Sequence, residues 1–171
     1  MKVKANGITI NYQLDGSDGA PWLVLSNSLA TNLTLWDEQA RELGRAFRVL
    51  RCDQRGHGAS EASGGRYTFD QLIADAVALM DVLAITRAHF AGLSMGGTTA
   101  LGLALQHPER LEKVIVCDSP CQSTPTSSQQ WQEVSARCAQ GQSAPRRQGA
   151  SDDPHDASGR LHRMCRGTRR P

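Results

Sequence analysis

The run Gly92-Leu93-Ser94-Met95-Gly96-Gly97 constrains this chain more than any other feature. Ahead of it, Ala88-His89-Phe90-Ala91 reads as a strand. After it, Thr98 to Gln106 is a small-residue, Leu-rich stretch predicted to be a helix that stops at His107-Pro108. A serine set among glycines between a buried strand and a helix has a mechanical meaning: the glycines permit a tight, strained turn that lifts the hydroxyl clear of the sheet. The helix N-terminus beneath it directs partial positive charge at any developing oxyanion. The plain alternative is a Gly-rich turn with a capping serine, which seldom comes with both a strand and a helix. No Lys follows the glycines and no GxGxxG is present, which argues against a phosphate-binding loop.

The rest of the chain supplies the alternation such a turn needs. Met1 to Leu14 reads as a hairpin about Asn6-Gly7, with Ile8, Ile10 and Tyr12 alternating with polar residues. Trp22-Leu23-Val24-Leu25 is a short apolar run of the kind buried on both faces, and it ends in Ser26-Asn27-Ser28. From Leu35 to Phe47, Trp36, Ala40, Leu43 and Phe47 keep helical spacing, and Phe47 to Cys52 follows as a strand. Asp53 to Arg66 is a long polar, Gly-rich loop. Thr68 then caps a helix with Gln71 as its partner, whose stripe is Leu72, Ile73, Ala76, Leu79, Met80 and Leu83. Val114-Ile115-Val116-Cys117 is a further buried strand. Strands and helices alternating at these lengths predict an α/β fold with a mainly parallel sheet covered on both faces.

An oxyanion hole on such a turn takes one amide from the residue after the nucleophile, here Met95, and one from the loop after the third strand, here Leu29. Ser26-Asn27-Ser28 is also ordinary turn chemistry, since Asn and Ser favour turns in general.

Composition separates two regions. Up to Glu133 there are 11 basic and 14 acidic residues, and after it 8 and 3, so a front of net −3 precedes a tail of net +5. Every base in the tail is Arg, and from Ser135 to Pro171 there is no Ile, Val, Phe, Tyr or Trp. Such a segment buries too little apolar surface to offset its ordering entropy. The predicted organisation is therefore a folded core followed by an Arg-rich, disordered tail. Five cysteines without metal-site spacing and an N-terminus without a secretory pattern predict a cytoplasmic protein with free thiols. No stretch approaches the roughly 20 apolar residues that cross a bilayer.

Several segments together resemble the α/β-hydrolase superfamily and, within it, the 3-oxoadipate enol-lactonases. They are Ser26-Asn27-Ser28-Leu29, Trp36-Asp37, Asp53-Gln54-Arg55-Gly56-His57-Gly58-Ala59-Ser60, the Ser94 run, His107-Pro108-Glu109-Arg110 and Cys117-Asp118-Ser119-Pro120. The resemblance covers Met1 to Trp131, which places the expected core at 1–131 and the Arg-rich, disordered tail at 132–171. It implies an α/β-hydrolase fold with its later strands and lid missing. It also implies hydrolysis of an enol-lactone to 3-oxoadipate in aromatic-compound catabolism, with Ser94 as nucleophile and no metal or organic cofactor.

A serine needs a base, and the base an orienting carboxylate, in the chain order Ser, Asp or Glu, His. The family's later acid and histidine segments are not found here. Asp118 stands where some relatives keep their acid, and it also reads as a loop residue at the pocket mouth. His57 resembles a structural position, His89 begins the strand that leads to Ser94, and His107 ends a helix. His155 and His162 follow Ser94 but lie in the Arg-rich tail. The abrupt compositional change near Glu133 is what a frame shift in a GC-rich gene produces. In that case the downstream DNA, read in another frame, should encode the lost lid, acid and histidine. Partners expected are a small lactone or ester and, through the sheet edge left at Val114 to Val116, further copies of the chain. Membrane is not expected. Three Asp among the tail's arginines, with no aromatic residue and no Lys, argue against a nucleic-acid arm. Other esterase chemistry, and an inactive remnant or binding protein, are the competing readings.

Overall fold

A computed structural model of the chain describes residues 1–121. The Arg-rich segment, the boundary at 131, His155 and His162 lie outside the described residues. The elements in chain order are β1 (Lys2–Ala5), β2 (Ile8–Asp15), β3 (Trp22–Ser26), a 3-10 turn (Leu33–Trp36), α1 (Asp37–Leu43), β4 (Arg48–Cys52), α2 (Phe69–Val82), β5 (Ala88–Leu93), α3 (Met95–Gln106), a second 3-10 turn (Pro108–Arg110) and β6 (Leu111–Cys117). They build a six-stranded sheet in the order β1-β2-β4-β3-β5-β6. β4, β3, β5 and β6 run parallel, while β1 pairs antiparallel with β2, and β2 with β4.

The two-residue period of a strand sorts the apolar runs onto opposite faces. Val24, Leu50 and Phe90 face one side and pack with Ile73, Leu79 and Met80 of α2 and Ala100 and Leu103 of α3. Their immediate neighbours Leu23, Leu25, Val49 and Ala91 face the other, against Ala40, Trp36, Leu43 and Phe47. The expected stripe of α2 is the buried one, and its start carries the expected reciprocal cap. Thr68 Oγ1 accepts the Gln71 N–H at 3.2 Å, and Gln71 Oε1 accepts the Thr68 N–H at 3.2 Å.

β6, expected as a buried strand over Val114 to Cys117, runs from Leu111 and leaves Ile115 and Cys117 exposed because it lies at an edge of the sheet, and two further elements differ from the sequence expectation. The predicted helix over Leu35 to Phe47 is a 3-10 turn followed by a seven-residue α-helix. Phe47 reaches the same face from beyond the helix, its N–H donating to the Leu43 carbonyl at 2.9 Å. The second difference is at the glycine run. The predicted helix begins at Thr98, whereas α3 begins at Met95, so the turn from strand to helix occupies a single residue. Gly96 and Gly97 are weak helix formers, and they are helical here because packing beneath the turn requires small residues.

Candidate active site

Ser94 is the residue at which β5 becomes α3, and its backbone sits at φ 53°, ψ −112°. A side-chain-bearing residue rarely occupies that region and stays there only when its surroundings hold it. The restraint comes from both sides. The Ser94 N–H donates to the Cys117 carbonyl of β6 at 2.9 Å, and its carbonyl accepts the Thr98 N–H at 2.9 Å. Gly92 and Gly96 let the backbone close around it. A Cβ on Gly92 would fall well inside van der Waals contact with the Gly96 carbonyl, and one on Gly96 would meet the Ser26 and Asn27 carbonyls.

That second contact sets the first turn of α3 against the loop that leaves β3. The register agrees, because Ser26 lies opposite Gly92 on the neighbouring strand. Leu29 is half-buried in that loop, beside Ala30 at φ 61°. Neither the Leu29 nor the Met95 amide donates to an acceptor among the described residues. A third left-handed residue, Asp118 at φ 49°, follows β6. Strained residues thus follow β3, β5 and β6 at the carboxyl edge of the parallel strands, the edge where open α/β sheets bind ligands.

The loop is fastened from β4 by groups to which the sequence reading assigned no role. Asn27 Nδ2 donates to the Cys52 carbonyl at 2.9 Å, and Gln54 Nε2 to Ser26 Oγ at 2.8 Å. The buried Asp53 carboxylate accepts the Leu33 N–H at 2.7 Å, the Ala59 N–H at 2.8 Å and Asn11 Nδ2 at 2.8 Å. Arg55 grips Asp75 of α2 with two nitrogens, at 2.8 and 2.6 Å, and hydrogen bonding to Asp75 raises its pKa further. Asp53 and Arg55 of the loop after β4 therefore tie loops and helix together. Arg51 does the same below, between Asp15 and Asp37. Burial alone would lower its pKa, and its bonds to the two carboxylates outweigh that.

Among the described residues, the Ser94 hydroxyl makes no hydrogen bond. His57 is buried, with Nδ1 2.9 Å from the Arg55 carbonyl, a structural use. His89 packs edge-on to Phe47, ring centres 5.4 Å apart, at the opposite end of β5 from Ser94. His107 closes α3, with Nδ1 3.5 Å from Glu109. Asp118 shares the carboxyl edge with Ser94 but is exposed and makes no ion pair among the described residues. No group of three or more His, Cys, Asp or Glu among them could hold a metal.

A family model for the alpha/beta hydrolase fold matches residues 21–149. The chain belongs to the α/β-hydrolase family. It is 44% identical over 115 residues to 3-oxoadipate enol-lactonase 2 of Acinetobacter baylyi, a match covering 67% of this chain and 43% of that protein. To 3-oxoadipate enol-lactonase 1 of the same organism it is 38% identical over 119 residues, 70% of this chain and 44% of the relative. The crystal structure of the enol-lactonase from Burkholderia xenovorans LB400 superposes with a TM-score of 0.76 at 44% identity, covering 81% of this chain and 54% of that one. The chain spans less than half the length of the curated relatives it matches. Within the α/β hydrolase, no described helix is long and apolar enough to cross a membrane.

Proposed function

We propose that Ser94 is the nucleophile of a carboxylic-ester hydrolase whose substrate class is an enol-lactone, as in the relatives' names. The observation that carries this reading is the one-residue turn at Ser94, with φ 53° between β5 and α3. Ser94 Oγ attacks the lactone carbonyl carbon and loses its proton to a base. The carbonyl oxygen becomes an oxyanion between the amides of Met95 and Leu29, at the positive end of α3. Collapse of that intermediate breaks the bond from carbonyl carbon to ring oxygen. The ring oxygen leaves as an enolate, takes up a proton and tautomerises to the ketone, and water then frees the acid from Ser94. An enolate leaves more readily than an alkoxide because its charge is delocalised, so this substrate class asks less of a general acid. Asp118 is the carboxylate proposed to orient the base.

The test is the loss of enol-lactone absorbance with purified protein, alongside Ser94→Ala. Turnover that Ser94→Ala abolishes supports the reading, and equal decay with both proteins refutes it. A second reading, a catalytically silent remnant or binding protein, is favoured by the Ser94 hydroxyl having no hydrogen-bond partner among the described residues. Acylation of Ser94 by an activated ester, once and without turnover, would support that one.

A further inference from the structure

Parallel pairing of β5 with β6 sets Gly92 opposite Val116 and Leu93 opposite Cys117. One step further, Ser94 would face Asp118, and a continuing parallel ladder would join the Ser94 N–H to the Cys117 carbonyl and the Ser119 N–H to the Ser94 carbonyl. The first of these bonds is made, at 2.9 Å. The second is replaced. Asp118 turns the chain at φ 49°, and the Ser119 hydroxyl donates to the Ser94 carbonyl where the ladder would have used the backbone amide. The same side chain occupies the space above Gly97, where a Cβ would collide with Ser119 Oγ.

The Ser94 carbonyl and the Met95 N–H belong to one planar trans peptide and point in opposite directions, so fixing one fixes the other. A hydrogen bond accepted by the carbonyl also polarises the amide and strengthens it as a donor. We propose that Ser119 is a positioning residue that aims the Met95 amide at the oxyanion, an inference that rests on the nucleophile reading above.

Two readouts test it on the full chain labelled with ¹⁵N and ¹³C. The first is the Ser94 carbonyl carbon and Met95 amide nitrogen resonances in wild type, Ser119→Ala and Ser119→Thr. The second is the rate at which a fluorophosphonate modifies Ser94, followed by intact mass. Ser119→Ala should move both resonances while those of Phe90 and Ala91 stay in place, and should slow modification about tenfold, the rate equivalent of one hydrogen bond. Ser119→Thr keeps the hydroxyl and should restore both. Ser119→Cys, a weaker donor of similar shape, should fall between and covers the case of a Thr methyl crowding Gly97. Unmoved resonances in Ser119→Ala, or modification as fast as wild type, would overturn the proposal. If the wild type itself is not modified, the nucleophile reading falls, and shifted resonances still uphold the aiming of the Met95 amide.

Discussion

At the scale of single residues, the site depends on side chains that are absent as much as on those present. Gly96 is the sharpest case, because its Cβ would meet two carbonyls of the neighbouring loop, backbone atoms that cannot swing aside. Gly96→Ala should destabilise the protein by about 1–3 kcal/mol, the range of an overpacked core position. Urea unfolding monitored by circular dichroism checks this, and a midpoint within error of wild type would refute the close approach. Cys52 gives a pH signature. Burial first, then the charges of Asp53 and Asp75, push its thiol from 9.0 up to about 12. The folded state therefore holds a proton that the unfolded chain releases at lower pH. The stability this contributes is complete below about pH 9 and is lost as pH rises towards 12. Cys52→Ala should flatten stability against pH across that window relative to wild type, whereas parallel curves would contradict the assignment. Ser94 was legible in the sequence because its glycines and flanking elements have one mechanical meaning. Ser119 and Asn27 were not, although both stand in the motifs quoted, because a hydroxyl or amide in a polar loop has many partners until the neighbouring strand is placed.

Among the elements, the strands up to β5 and α2 were the readable part, since their periods reflect burial and their ends carry local signals; β6 was not, because an apolar run reads alike at a sheet centre and at its edge. The Thr68–Gln71 cap is such a signal. Thr68→Ala should lower stability by about 1 kcal/mol, seen as a shifted urea midpoint with the slope unchanged; no shift would mean that the cap is made only in part. The start of α3 was misplaced by three residues for a physical reason. Propensity disfavours Gly96 and Gly97 in a helix, and only contact with β3 and Ser119 reveals why small residues stand there. The short α1 was overextended because Phe47 keeps the helical period by position while reaching the face from a turn.

For the whole molecule, β1 and β6 are the outer strands among the described residues, and Ile115 of β6 is 57% exposed. An apolar edge of this kind pairs with other chains unless something covers it. Concentration-dependent association is therefore expected by sedimentation, and Ile115→Lys should shift the protein towards monomer; an unaltered distribution would assign association to another surface. The strand-to-helix turn should make Ser94 chemically distinct from the other serines of the chain. The most direct test is intact-mass analysis after exposure to a p-nitrophenyl ester, with peptide mapping of any adduct. A single acyl group is expected on Ser94, absent from Ser94→Ala. Acylation spread over several serines, or unchanged in Ser94→Ala, would contradict it.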